Sequence, residues 1–162
     1  MVSVVCVGYE MSGKTKTCFA LLGISRPCWG STLSCYYLCA TVNDVEWHVW
    51  DTPPVQNAEE MTTGWAGEHV LAEADVVLVC HDGRQANPMH IVAACGPSRC
   101  ILVLTNSVES GLDLSYVPEY WSPSYMDGLA LVPRVCTRVE LLWEISRIAN
   151  QSCFGICTPC IQ

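Results

Sequence analysis

The chain has 162 residues, a length that suits one globular domain and leaves almost nothing for a second. Of these, 51% are apolar and 15% charged, enough apolar surface to offset the entropy of ordering, which excludes intrinsic disorder. The 16 acidic residues against 8 basic ones give a formal charge of -8 with no basic run, which argues against nucleic acid or an anionic membrane surface as a partner.

Short apolar runs alternate with helical stretches. Residues 2–7 read as a buried strand ending at Gly8 and a turn, with a helix over 13–22 behind it. Strands at 36–42 and 45–50 flank Asn43-Asp44, a pair suited to a tight hairpin. A helix over 59–74 is weakened midway by Thr62, Thr63 and Gly64. The run 74–80 reads as a buried strand, 88–95 as a short helix opened by Pro88, and 100–104 as another buried strand. Pro118, Pro123 and Gly128 keep 107–128 mostly in loop, before a short strand at 129–133. The last helix, 139–150, carries Leu141, Leu142, Ile145 and Ile148 on one face. Strands alternating with helices predict an α/β fold of three layers. It has a mostly parallel six-stranded sheet with one antiparallel edge strand, and helices on both faces.

Twelve cysteines would suggest a disulfide framework in a secreted chain. The sequence opens on Met-Val-Ser-Val-Val without a secretory leader pattern, and Cys6, Cys80 and Cys100 lie in apolar runs, where a thiol behaves as a small hydrophobe. The expectation is a reduced, intracellular and cytoplasmic protein. No apolar stretch reaches the ~18–20 residues of a membrane span. Val2 and Pro159 stand where N-myristoylation and a prenylation box need glycine and cysteine. Cys153, Cys157 and Cys160 cluster in 151–162, read as a tail beyond a domain at 1–150. For these three cysteines an inert tail, acylation with peripheral membrane association, and a metal or redox role all stay open.

Gly8-Tyr9-Glu10-Met11-Ser12-Gly13-Lys14-Thr15 fits the G-x-x-x-x-G-K-[ST] phosphate-binding loop, and the match occurs once. Glycines let the backbone curl so that successive amides turn toward phosphates, and the helix N-terminus adds its unpaired N–H groups. Glu10, Met11, Ser12, Gly13, Lys14, Thr15 and Lys16 are therefore candidate nucleotide-binding residues. Lys14 would supply a point charge to the β- and γ-phosphates, and the Thr15 hydroxyl would ligate Mg²⁺. The motif follows a strand and opens a helix, as the chemistry requires.

The segment 32–51 resembles the switch I, hairpin and switch II region of the Ras superfamily, most closely its Arf and Arf-like branch. There a threonine and a Val-Trp-Asp element stand the same number of residues apart, as Thr32 and Val49-Trp50-Asp51 do here. The resemblance implies a Ras-like P-loop NTPase domain that binds GTP or GDP with Mg²⁺. It makes Thr15, Thr32 and Asp51 the metal set, with Thr32 also sensing the γ-phosphate. Protein effectors or a larger assembly would be met through the switch regions and the 36–50 hairpin. Trp47 and Trp65 are the better interface candidates, and Trp50 the core one.

The departures matter as much. The family pattern D-x-x-G becomes Asp51-Thr52-Pro53-Pro54, and proline has no N–H to give a γ-phosphate. The water-orienting glutamine falls in register on Val55, with Gln56 one residue late. Phosphoryl transfer to water depends on positioning and electrostatics, so hydrolysis should be slow, with Lys14, Thr32 and Gln56 the remaining catalytic candidates. Glu10 would add unhelpful negative charge. For the base, N-K-x-D becomes Asn106-Ser107-Val108-Glu109, so Asn106 and Glu109 are the candidates, with Cys136 and Thr137 standing for the final short turn. A pseudo-GTPase scaffold with little or no turnover is the rival reading. A nucleotide kinase would need an arginine-bearing lid that the 8 basic residues do not form. His81-Asp82 invites a catalytic assignment, but a hydrogen-bonded strand-end histidine is the expectation.

Overall fold

The computed structural model of the chain describes residues 1–25, 34–57, 60, 67–82, 85–105, 132–135 and 137–149. Its strands are β1 (Val2–Val7), β2 (Tyr36–Val42), β3 (Val45–Asp51), β4 (Val76–His81), β5 (Cys100–Leu104) and β6 (Arg134–Val135). The helices are α1 (Lys14–Leu22), α2 (Gly67–Glu73), α3 (Met89–Cys95) and α4 (Arg138–Ile148). The sheet order is β2-β3-β1-β4-β5-β6, with every neighbouring pair parallel except β2 and β3.

Successive side chains of a strand point to opposite faces, so the apolar runs of β1, β4 and β5 supply two cores at once. Val4 and Cys6 join Leu21 and Leu22 of α1 and Leu141 and Ile145 of α4 on one face. Val5 and Val7 join Val70 and Leu71 of α2 and Ile91 and Val92 of α3 on the other. Arg138 ties α4 to the end of α1, donating to the carbonyls of Ala20 (2.9 Å) and Leu21 (3.2 Å) in its last turn.

Several boundaries differ from expectation for physical reasons. β4 starts at Val76 rather than 74, because Asp75 is engaged sideways: its N–H donates to the Ser3 carbonyl (2.9 Å) and its carboxylate accepts from Ser3 N–H (2.8 Å). The last strand is Arg134–Val135 rather than 129–133, of which 129–131 lie outside the described residues. Pro133 has no N–H for a ladder but offers its carbonyl to Leu102 N–H (2.8 Å), so regular pairing begins just after it. Of the helix expected over 59–74, Gly67–Glu73 is described as α2, with residues 58, 59 and 61–66 outside. The hairpin turn has Asn43 and Asp44 both at positive φ (51° and 62°), the type I′ geometry that a right-twisted pair prefers.

Trp47 belongs to a core rather than to an interface, while Trp50 packs partly buried against the opposite core, as its core assignment expects. Trp47 is 1% exposed and packs with Val45 and Val49 in the core shared by α1 and α4. Trp50 lies on the opposite face, partly buried against Tyr37 with ring centroids 4.9 Å apart. Trp65 lies outside the described residues.

Candidate functional site

β1 is the point where strand order reverses. The chain leaves β1 for β3 on one side and then crosses to β4 on the other. Crevices at the carboxyl ends of strands around such a point are where α/β sheets bind ligands. The loop 8–13 follows β1 here, with Asp51, His81 and Thr105 closing or following the strands beside it.

The loop is held from beneath. At Gly8 a Cβ would fall 2.4 Å from the Cys80 carbonyl oxygen and 2.6 Å from Ser12 Oγ, so no other residue fits without displacement. Gly13 caps α1 at φ 85°, and a Cβ there would lie 3.0 Å from Thr105 Cγ2. The Thr105 hydroxyl donates to the Ser12 carbonyl. Gln85 Nε2 donates to the Glu10 carbonyl at 2.6 Å. Glu10 itself is exposed, and Met11 is 87% exposed at φ 56°.

Lys14 folds back over this loop, 6% exposed, and its Nζ donates to the Tyr9 carbonyl at 2.8 Å. Burial pulls its pKa below the usual lysine value, while the nearby Asp51 carboxylate pushes it back up. Beside it the Thr15 hydroxyl donates to Asp51 Oδ2 at 2.6 Å, bringing a residue of α1 against the last residue of β3. Asp51 is 2% exposed. Lys16 is partly exposed on the first turn of α1.

Beyond Asp51 the chain turns onto the loop. Thr52 donates its hydroxyl to the Cys6 carbonyl (2.7 Å), and Val55 N–H donates to the Gly8 carbonyl (3.1 Å). Val55 is fully buried against the α2 and α3 side of the sheet. Pro53 and Pro54 carry no N–H, so across 53–55 the one backbone donor is already spent on Gly8. Gln56 is exposed, with its backbone N–H bound by the Glu60 carboxylate.

No protein-family model matches the chain, and no curated protein matches it in sequence. Solved structures do match. A chain of the GTP-bound T. brucei IFT22/74/81 crystal structure superposes with TM-score 0.65 at 12% identity, over 93% of this chain and 95% of that one. Bacterial selenocysteine-specific elongation factor EF-Sec gives TM-score 0.61 at 15% identity, over 93% of this chain and 29% of that one. Toc33 from Arabidopsis thaliana, in complex with GDP and Mg2+, gives 0.51 at 18% identity, over 94% of this chain and 65% of that one. The chain has the fold of P-loop GTPases.

The residues present fit what a P-loop GTPase fold holds. The glycine-only positions, the buried ammonium of Lys14 and the paired Thr15 and Asp51 are the donor set for phosphates and a hard divalent cation. Ser12 Oγ is buried without a hydrogen-bond partner among the described residues, a further polar atom under the cradle. Thr32, Asn106, Glu109 and Cys136 lie outside the described residues. Thr137 is engaged in a capping box on α4, its hydroxyl accepting from Glu140 N–H and its own N–H donating to the Glu140 carboxylate.

His81 is fully buried with Nε2 2.7 Å from the Ala86 carbonyl. Burial lowers its pKa, so it stays neutral and donates, as a strand-end histidine should. Thr105, Thr52 and Gln85 were not singled out from the sequence. A threonine directly after the apolar run 100–104, at the carboxyl end of a parallel strand, is the signal that points to Thr105.

Proposed function

We propose that the chain is a divergent, Arf-like small GTP-binding protein that holds Mg-GTP or Mg-GDP in its P-loop, hydrolyses GTP slowly, and serves as a regulatory switch or partner-binding module. Residues 1–150 would form one three-layer Ras-like domain with a six-stranded sheet, and 151–162 a cysteine-containing tail. The observation that carries this is the pairing of Thr15 with Asp51 beside the buried Lys14, over a loop where only glycine fits at Gly8.

Mg²⁺ held by Thr15, Asp51 and Thr32 would supply charge neutralisation at the phosphates. The Lys14 ammonium exchanges the Tyr9 carbonyl for phosphate oxygens, and its low exposure strengthens that attraction. The Thr15 hydroxyl and the Asp51 carboxylate, already paired at 2.6 Å, would hold the cation, with Thr32 completing the set. The Glu109 carboxylate would accept from the guanine N1–H and amino group with Asn106 beside it, and Cys136 and Thr137 would border the base. Turnover is slow because residues 53–55 present no free amide and Val55 is buried where a water-orienting glutamine would stand. Gln56 is the remaining candidate for that role. Glu10 adds negative charge at the loop.

The bond between Val55 N–H and the Gly8 carbonyl also favours the second reading, a pseudo-GTPase scaffold whose switch segment is already docked. The GTP-bound T. brucei structure comprises a protein assembly, which supports a partner-binding role through the switch regions and the 36–50 hairpin. A cytoplasmic location, with membrane association if Cys153, Cys157 or Cys160 is acylated, completes the proposal.

The deciding experiment denatures purified protein and chromatographs what is released. Guanine nucleotide from the wild type, and none from Lys14→Ala, is the expected result. No guanine nucleotide and no binding of an added GTP analogue would overturn the proposal. Retained nucleotide without single-turnover hydrolysis would select the scaffold reading.

A further inference from the structure

The exposed face of the β2–β3 hairpin gathers three chemically distinct metal-ligating side chains. Cys39 and His48 are directly opposite each other across the strands, and Glu46 is two residues from His48, so all three share one face. Glu46 Oε1 lies 2.9 Å from His48 Nε2 and 3.9 Å from Cys39 Sγ, and the three donor atoms all lie within 4.8 Å of one another. Cys39 and Glu46 are exposed and His48 is partly so, which leaves the cluster open to solvent.

We propose that Cys39, Glu46 and His48 form a Zn²⁺ site with a water molecule in the fourth position. Sulfur, imidazole nitrogen and carboxylate oxygen together are a borderline-soft donor set, which suits zinc and not calcium or magnesium. Tetrahedral zinc, with bonds of about 2.0–2.3 Å, places its ligand atoms about 3.3–3.6 Å apart. The spacings of 2.9 and 3.9 Å straddle that range and the remaining pair lies within 4.8 Å, so side-chain adjustments of up to about 1 Å would close the site. One thiolate and one carboxylate balance the charge of the ion.

The supporting shell is in place as well. Tyr37 Oη lies 2.7 Å from His48 Nδ1 and packs edge-on against the imidazole with ring centroids 5.4 Å apart. A metal on Nε2 fixes the proton on Nδ1, which then donates to Tyr37, the arrangement that orients ligating histidines elsewhere. His48 also lines a groove of about 620 Å³ with Met1, Ser3, Tyr37, Trp50 and Glu73, which leaves room beside the imidazole for solvent or an incoming donor. The site is separate from the phosphate loop, since His48 pairs with Ser3 while Asp51 pairs with Cys6, three residues or about 10 Å further along the strands.

Zinc alone is the probe. Chelator-treated full-length protein is titrated with Zn²⁺ against a chromophoric competitor, and with Co²⁺ for its visible spectrum. We expect one equivalent bound, with a sulfur-to-cobalt charge-transfer band that disappears in Cys39→Ser. Affinity should fall by more than about 100-fold in His48→Ala and Glu46→Gln, and by about 10–100-fold in Tyr37→Phe. The chain has 12 cysteines, so a variant with Cys153, Cys157 and Cys160 all changed to Ser is the control and should keep the equivalent. Zinc lost in that control but kept by Cys39→Ser would overturn the proposal, as would undiminished affinity in His48→Ala. If a hairpin variant fails to fold by circular dichroism, Tyr37→Phe and Glu46→Gln decide by the same titration. Lys14→Ala protein should bind zinc unchanged, so failure here is distinguishable from failure of nucleotide binding.

Discussion

Thr105→Val isolates a single bond under the phosphate loop. The exchange preserves shape: a methyl still meets Gly13, where a Cβ would lie 3.0 Å from Thr105 Cγ2. What disappears is the hydroxyl that donates to the Ser12 carbonyl. Thr105 is 8% exposed and Ser12 is fully buried, so the abandoned carbonyl has little access to water. A buried acceptor left without its donor costs about 1–3 kcal/mol. For a domain of this length each kcal/mol moves the melting temperature by about 2–4 °C, so a mid-range loss corresponds to about 4–8 °C. Thermal melts of nucleotide-free protein measure it, with GTP-analogue affinity followed in parallel because the same bond shapes the loop. Thr105→Ser keeps the hydroxyl and loses the methyl contact, so it should melt between wild type and Thr105→Val. A Thr105→Val protein that melts with the wild type, or a Thr105→Ser protein that melts below it, refutes the role given to this bond.

Pro54→Gly should accelerate single-turnover hydrolysis by restoring an amide donor, whereas Val55→Gln alone should lower stability by about 1–3 kcal/mol because it places an amide in a fully buried site. Wild-type hydrolysis at the rates of stimulated GTPases would contradict the first. Stability should fall as pH rises above about 9, measured by urea unfolding, because the buried thiols of Cys6, Cys18 and Cys80 stay protonated beyond the ordinary value of 9.0. A hydrogen bond with Cys18 is the main cause for Cys6, and burial for the other two. Unfolded chains ionise these thiols near that value while the folded chain holds the protons, so the stabilisation is complete below it and is lost above it. Cys80→Ala should remove one thiol's share, about 1.4 kcal/mol per pH unit, from the alkaline slope. An unchanged slope would refute the assignment.

The parts of the site legible in the sequence were local ones. Lys14 and Thr15 follow Gly13 directly, and their roles need only a strand before the loop and a helix after it. The Asn43-Asp44 turn specifies its own geometry in two residues. Asp51 was found through its spacing to Thr32, and the structure brings it to Thr15 across 36 residues. Trp47 lies in a core rather than at an interface, and the alternation carried that answer: Val45, Trp47 and Val49 share one face, and Glu46, His48 and Trp50 the other. The bond from Thr105 to Ser12 spans 93 residues and has no signature in either segment.

The sequence by itself determined the parallel sheet, because strands buried on both faces must be written as near-continuous apolar runs such as residues 4–7 and Cys100–Leu104. It also carries the phosphate-loop motif and excludes an amide donor at Pro54, since both follow from covalent structure. Only the tertiary structure decided that Val55 N–H closes on Gly8, that the Lys14 ammonium is buried, and that Cys39, Glu46 and His48 meet. Those outcomes depend on which strand lies beside which, and in what register. Such choices are set by the packing of the two cores as a whole, and no short segment of the chain contains that information.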